Sequence, residues 1–176
     1  MNFGAGVPEV NLLPGQVHLA RRPMILQTIL GSCVSVTFWS AQLGAAALCH
    51  GVLPRCPREG PPGATVSDGY RYVDYSIRYL AQKFDALGGD RKDIEVKVFG
   101  GADVLPASRA GATKPTVGSM NGRVALEVLE EEGFTVLACD LGGTRGRKIQ
   151  FNTGTGEVYV YKLSAWSDSL PGGDAA

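Results

Sequence analysis

The sequence predicts an α/β or α+β domain built on a mixed β-sheet. Apolar residues alternate along several short segments, as in half-buried strands, and recur at helical spacing in only two segments. The chain is therefore mostly strands with two inserted helices, which indicates a mixed sheet. Its 176 residues are enough for one domain with a substantial core and too few for two.

Residues 1–24 are predicted to be an irregular segment, because three prolines interrupt any regular pattern there. Within this segment, Gln16–Ala20 is expected to form an edge strand. A single domain is expected over residues 25–163. Residues 164–176 carry little apolar pattern and are expected to form a loose tail.

Two neighbouring strands are predicted early in the domain. Apolar and more polar side chains alternate along Cys33–Trp39, and Cys33 falls on the more polar face. A second, apolar strand is predicted over Ala45–Leu53, where His50 alternates with aliphatic residues. Burial there would lower the pKa of the imidazole, whereas a thiolate beside it would raise that pKa.

Two helices and four further strands are predicted in the rest of the chain. The first helix runs from Ser67 or Asp68 to about Leu87, and the second from about Asn121 to Gly133; glycines end both. The strands are Ile94–Val98, Phe134–Cys139 and a hairpin of Gly146–Asn152 with Glu157–Leu163.

Charge and cysteine content exclude several classes of function. Lysine plus arginine equal aspartate plus glutamate at 17 each, so no overall field attracts nucleic acid or an anionic membrane. No apolar run is long enough to span a bilayer, so membrane insertion is not expected. The four cysteines form no C-x-x-C pair and no secretory leader opens the chain, which indicates a cytoplasmic protein with reduced thiols.

No metal and no cofactor are expected. Cys49, His50 and Cys56 come nearest to a zinc site, but their spacing matches no usual ligand pattern. The glycine loop Gly142–Lys148 lacks the Gly-Lys-Ser/Thr ending of a phosphate loop and precedes a strand.

Cys33 and His50 are the candidate reactive pair. A thiol and an imidazole on adjacent strands are what a cysteine nucleophile and its general base require. The alternative is that both are core groups, since free cysteines are mostly buried. Backbone N–H groups near Gly31–Cys33, including that of Ser32, are the candidates to hold an oxyanion, because Gly31 allows close approach of the backbone.

Four ordered blocks resemble the chemoreceptor glutamine deamidase family of bacterial and archaeal chemotaxis, CheD. Each block alone is weak evidence, but the ordered set is specific, and it spans about Gln27 to Leu163. The blocks are Thr28-Ile-Leu-Gly-Ser-Cys-Val34; His50 with Leu53-Pro54; Lys97-Val-Phe-Gly-Gly-Ala102; and Val117-Gly-Ser-Met-Asn121 with Asp140-Leu-Gly-Gly143 and Gly146-Arg-Lys148.

The resemblance implies a layered α/β/α sandwich related to the cysteine-dependent deamidases among bacterial toxins. It implies hydrolysis of glutamine side chains of methyl-accepting chemotaxis receptors to glutamate, with release of ammonia. Methyl-ester hydrolysis at receptor glutamates has also been attributed to the family. The chemotaxis phosphatase CheC is an implied partner, which the family binds and stimulates while its own deamidase activity is restrained.

The resemblance also assigns residues. Cys33 would be the nucleophile and His50 the base. The third member is a threonine upstream of the cysteine, for which Thr28 fits, with the neighbouring Gln27 as the alternative. Asn121 is expected either to cap a helix or to shape the substrate cleft.

The chain departs from the family pattern around the histidine. Ala46-Ala-Leu-Cys49 stands where the family often has Gly-Gly-Met-Asn, and Gly51 stands where a large apolar residue is common. These departures predict a changed pocket wall beside the base and altered substrate selectivity. Cys49 is also expected to be a second thiol close to the site, able to trap Cys33 as a disulfide.

Two other functions stay open on the sequence. A binding module that regulates the phosphatase partner without catalysis would retain all these residues. A cysteine peptidase or transamidase would use the same thiol and imidazole, and would cleave backbone or incorporate amines instead of releasing ammonia alone.

Overall fold

The computed structural model describes residues 6–57, 60, 65–104 and 114–164, which form nine strands and three α-helices. The strands are β1 (Glu9–Asn11), β2 (Val17–Ala20), β3 (Ile25–Leu30), β4 (Val34–Ser40), β5 (Ala45–Cys49), β6 (Glu95–Gly100), β7 (Val136–Leu141), β8 (Arg147–Asn152) and β9 (Val158–Lys162). The helices are α1 (Val66–Gly69), α2 (Val73–Ala86) and α3 (Val117–Glu131), with a 3-10 turn at Arg91–Asp93.

The strands form two mixed sheets. Sheet A has the order β1-β3-β8-β9, and sheet B has the order β2-β5-β4-β6-β7. The pairs β1–β3 and β6–β7 are parallel, and all other neighbours are antiparallel. The predicted mixed sheet is therefore confirmed, and the predicted hairpin is β8–β9.

Two apolar cores separate three layers. Alternate residues of β4 and β5, such as Val36 and Ala47, pack with α2 and α3 in one core. The intervening residues, such as Leu48, pack against Leu26 and Phe151 of sheet A in the other. The layers therefore run helices, sheet B, sheet A. The α/β class is confirmed, and a second sheet occupies the place of the second helical layer that the resemblance implied.

The N-terminal segment contributes strands to both sheets. The expected edge strand is β2, which pairs with β5 at the edge of sheet B. The short strand β1, which the proline-rich pattern did not predict, pairs in parallel with β3. The predicted tail begins at residue 164, and residues 165–176 lie outside the described residues.

The helix boundaries differ from the prediction for identifiable reasons. The first predicted helix is two helices, because the backbone between them bonds elsewhere: the carbonyl of Arg71 accepts from the N–H groups of Val52 and Leu53. The helix α3 begins before Asn121, at a Thr116 cap whose side chain accepts from the N–H of Ser119. Glycines in its first turns weaken the helical pattern in the sequence.

No helix in the described part of the chain is long and apolar enough to cross a membrane.

Candidate active site

The pairing of β4 with the end of β5 brings the candidate side chains together. Val34 and Gly51 exchange backbone hydrogen bonds of 2.9 and 2.8 Å. The next pair along this register is Ser35 and His50, whose Cα atoms in such a non-hydrogen-bonded pair lie about 4.5 Å apart. Cys33 is diagonal to His50 on the same face and packs against the core between the sheets.

Thr28 reaches His50 from the opposite sheet. Its Oγ1 lies 2.8 Å from Nδ1 of His50 and 2.7 Å from the backbone oxygen of Leu12. Both side chains are buried, with 1% and 2% of their surface exposed. A carbonyl can only accept, so the single hydroxyl hydrogen goes to Leu12 and the hydroxyl accepts from Nδ1–H. The bond therefore places the free lone pair of the ring on Nε2.

The resting pair is a neutral imidazole and a neutral thiol. Burial lowers the pKa of His50 to about 4, an effect that the carbonyl of Leu12 partly opposes. Burial also raises the pKa of the Cys33 thiol above its ordinary value. Nε2 of His50 and Oγ of Ser35 are buried and have no hydrogen-bond partner among the described residues. These two atoms are therefore available to a bound polar group.

The loop before β4, Gly31–Cys33 (the cysteine loop), has all three of its carbonyl groups held by donors. The oxygen of Gly31 accepts from the N–H of Ala102 and the oxygen of Cys33 from the N–H of Gly101, each at 2.8 Å. The oxygen of Ser32 accepts from the side chain of Asn121. By contrast, the N–H groups of Ser32 and Cys33 donate to no carbonyl of the described chain. They match the donors that an oxyanion requires.

Gly100 explains why a pair of glycines stands at the end of β6. A Cβ atom there would lie 2.1 Å from the backbone oxygen of Cys33, and the residue has a φ of +116°. Only glycine fits both constraints. The glycine pair therefore permits the close contact that supports the cysteine loop.

Gln27, the alternative to Thr28, lies on the other face of β3. Its side chain pairs with Gln150, whose Nε2 donates to Oε1 of Gln27 at 3.1 Å, and donates weakly to Glu9 at 3.4 Å. It is therefore directed away from His50.

Two of the departures from the family pattern, Cys49 and Gly51, do not form a pocket wall beside His50. Cys49 belongs to the core between sheet B and the helices, the face opposite to that of Cys33 and His50. A Cβ atom on Gly51 would lie 2.6 Å from the side chain of Val73 in α2. The glycine therefore allows the helix to pack closely and does not enlarge the cleft. Cys49 is thus separated from Cys33 by the sheet, and the expectation of a disulfide between them is wrong.

Sequence reasoning missed three contributors to the site. The carbonyl of Leu12, which orients Thr28, belongs to a segment that was predicted to be irregular. Ser35 was placed on the correct face, but strand alternation alone does not reveal an unpartnered hydroxyl. The amides of Gly101 and Ala102 had a signal, the glycine pair, although glycines mark turns more often than such contacts.

A cavity of about 510 Å³ opens beside the cysteine loop. Its lining is largely apolar and includes Val52, Val104 and Val117. Ser32, which precedes Cys33, also lines it, and Val52 lies two residues after His50. Such a surface suits aliphatic side chains of a substrate that flank the reacting group.

The described residues contain no group of three or more His, Cys, Asp or Glu side chains that could hold a metal ion. The zinc set considered from the sequence does not form, because Cys49 and His50 lie on opposite faces of sheet B.

Comparison with known proteins gives consistent matches. The model of the family "CheD chemotactic sensory transduction" matches residues 53–162, a stretch that begins just after His50. A probable chemoreceptor glutamine deamidase, CheD 2 of Geobacter sulfurreducens, is 44% identical over 158 residues, which cover 90% of this chain and 92% of the relative. The probable chemoreceptor glutamine deamidase CheD of Oleidesulfovibrio alaskensis is 37% identical over 167 residues, 94% of this chain and 77% of the relative.

Among solved structures, the hypothetical protein YfiH of Bacillus licheniformis aligns with a TM-score of 0.44 at 10% identity. The alignment covers 70% of this chain and 49% of that one.

Proposed function

The chain belongs to the CheD family, and we propose that it is a protein-glutamine deamidase that converts glutamine side chains of methyl-accepting chemotaxis receptors to glutamate. One observation carries the proposal: the hydroxyl of Thr28 holds the imidazole of His50 so that its free nitrogen lies on the same face as the Cys33 thiol. The related proteins supply the substrate class, because their names describe them as chemoreceptor glutamine deamidases.

The reaction begins with activation of the thiol. Because burial keeps both groups neutral, Cys33 is not a preformed thiolate and His50 acts as a general base during attack. Nε2 takes the thiol proton as the sulfur bonds to the side-chain carbonyl carbon of the glutamine. Thr28, as a neutral partner, holds the tautomer and stabilises the imidazolium less than a carboxylate would.

The oxygen of the glutamine side chain becomes an anion in the tetrahedral intermediate. The N–H groups of Ser32 and Cys33 are proposed to bind it, since both are free of carbonyl partners in the described chain. The imidazolium then donates its proton to the nitrogen, the carbon–nitrogen bond breaks, and ammonia leaves.

A thioester between Cys33 and the substrate remains. His50 takes a proton from a water molecule, which attacks the thioester carbon. The carbon–sulfur bond then breaks, the imidazolium returns its proton to the sulfur, and the glutamate side chain is released with the free thiol. Ser35, whose buried Oγ faces the same space, is proposed to hold this water together with Nε2.

Three further properties are proposed on the family resemblance. A methyl ester of glutamate has the same acyl carbon, so the same residues would hydrolyse it with methanol as the leaving group. Binding to a CheC-type phosphatase and a cytoplasmic location, where the receptor segments and reduced thiols would be, are proposed on the same basis.

The test is peptide mass spectrometry on receptor cytoplasmic fragments incubated with the protein or with its Cys33→Ala variant. Gln-to-Glu conversion by the parent protein alone supports the proposal. Conversion that continues with Cys33→Ala would contradict it. Retained binding of a CheC-type phosphatase without any conversion would favour the binding module, and backbone cleavage or amine incorporation would favour a peptidase or transamidase.

A further inference from the structure

Asn121 is a buried residue of α3 that contacts both segments of the candidate site. None of its surface is exposed. Its Nδ2 donates to the backbone oxygens of Ser32 and Val52, each at 2.9 Å. Because carbonyl oxygens only accept, these bonds fix the orientation of the amide and use both of its N–H groups. Asn121 thus joins the residue before the nucleophile to the segment that follows His50.

The bond to Ser32 sets the direction of the neighbouring N–H. The peptide between Ser32 and Cys33 is trans, so its N–H points opposite to its C=O. Since the oxygen is held by Asn121, the Cys33 N–H is directed away from α3, where it meets no carbonyl of the described chain. The preceding peptide is held in the same way by the N–H of Ala102.

Close packing brings Asn121 to this position. A Cβ atom on Gly118, in the first turn of α3, would lie 2.7 Å from the oxygen of Gly101 and 2.9 Å from that of Ala102. The absence of a side chain there lets the helix lie against the loop. Asn121 follows about one turn later and reaches Ser32.

The side-chain oxygen of Asn121 is costly to bury. Oδ1 has no partner among the described residues, and a buried acceptor without a partner reduces stability. An apolar side chain would avoid this cost. The amide is therefore valuable for the two bonds that its nitrogen donates.

We propose that Asn121 is a positioning residue for acyl transfer: it holds the Ser32–Cys33 peptide so that the Cys33 N–H is aimed at the oxyanion. The bond to Ser32 also polarises this peptide and strengthens its N–H as a donor. The bond to Val52 keeps the segment after His50 in register with the loop. This inference rests on the proposed function, because the oxyanion exists only if Cys33 attacks a carbonyl.

The test compares two reactions of Cys33 in Asn121→Ala and Asn121→Leu. Deamidation of a receptor fragment passes through an oxyanion, whereas alkylation by iodoacetamide, read by peptide mass spectrometry at Cys33, attacks a saturated carbon and does not. Loss of one oxyanion donor typically lowers kcat about 100-fold or more. We expect kcat to fall by at least about 30-fold, KM to change little, and alkylation of Cys33 to stay within about threefold.

Val128→Ala is the matched control, because Val128 lies on the same helix but packs in the core between the helices and sheet B. It should lower stability and leave kcat nearly unchanged. Asn121→Leu keeps nearly the size of the side chain and has no donor, so it carries the test if Asn121→Ala does not fold. A kcat near that of the parent in either folded variant, or an equal loss of deamidation and alkylation, would overturn the inference. A parent protein without activity would instead refute the proposed function, and this inference with it.

Discussion

At the scale of single residues, the site depends on one hydroxyl. Thr28 donates to the oxygen of Leu12 and accepts from Nδ1–H of His50, so the shared hydroxyl determines which ring nitrogen keeps a free lone pair. Carboxylates often have this role in other triads, but an ionised group here would require more compensation in the apolar layer between the sheets. A neutral hydroxyl satisfies the histidine at lower cost.

Thr28→Val tests this role, because valine keeps the shape and removes the hydroxyl. We expect kcat to fall about 10- to 100-fold, less than for loss of an aspartate, since the alternative tautomer becomes accessible. Unpaired buried groups at Leu12 and His50 should also lower the free energy of unfolding by about 1–3 kcal/mol. Steady-state kinetics and urea unfolding measure the two effects. Thr28→Ser, which keeps the hydroxyl, is the control. An equal fall in kcat in both variants would argue against a role for the hydrogen bond.

At the scale of elements, the residues at the end of β6 and just after it hold the cysteine loop in place. The N–H groups of Gly101 and Ala102 hold two of its carbonyls, and Gly100 leaves room for the oxygen of Cys33. The loop is therefore held in place before substrate arrives, which is the condition under which backbone donors stabilise an oxyanion most effectively.

Gly100→Ala should disrupt this support. The added Cβ would lie 2.1 Å from the oxygen of Cys33, and the residue would also have to keep a φ of +116°. We expect a loss of about 3 kcal/mol in the free energy of unfolding, together with a fall in kcat. Gly133→Ala is the control, because Gly133 has a φ of +79° and open space around its Cβ position. It should lose only about 1 kcal/mol and keep its activity, as urea unfolding and kinetics would show. Similar losses in both variants would contradict a specific contact at Gly100.

The sequence predicted the elements better than their arrangement. Apolar alternation predicted Cys33 and His50 on two adjacent strands, with Cys33 on the more polar face of its own strand, because the side-chain period of a strand is independent of its partners. That the two residues share one face depends on the register between the strands, which the pattern does not give. The same pattern could not reveal that Thr28 faces His50 from a second sheet, since the packing of two sheets involves contacts distant in sequence. The pattern also did not reveal that Gly51 lies against α2 and not in the wall of the cleft; the close approach of that helix explains the glycine.

At the scale of the whole molecule, the site lies where two sheets meet. Cys33 and His50 adjoin strands of sheet B, and Thr28 belongs to sheet A, so the geometry of the candidate site depends on the relative position of the sheets. Arg147 of sheet A is almost wholly buried and pairs with Asp140 of sheet B at 2.8 Å. This ion pair and the apolar core between the sheets hold the layers in register.

The buried histidine also links stability to pH. The folded pKa of about 4 lies below the ordinary value of 6.5, so the unfolded chain binds the extra proton first as pH falls. The contribution of His50 to stability is present above pH 6.5 and is lost as pH falls toward 4. This loss amounts to about 3 kcal/mol. Between pH 7 and pH 4, the free energy of unfolding of the parent protein should fall by about this much more than that of His50→Gln, as urea unfolding would measure. Equal pH dependence in the two proteins would contradict a buried neutral imidazole.

Trapping the covalent intermediate tests directly whether Cys33 attacks a receptor glutamine. A receptor peptide is mixed with the protein, quenched in acid during turnover and examined by intact mass spectrometry. We expect an adduct with the mass of the peptide less ammonia, located at Cys33 and absent from Cys33→Ala. Gln-to-Glu conversion with no adduct, at an undiminished rate in Cys33→Ala, would contradict it.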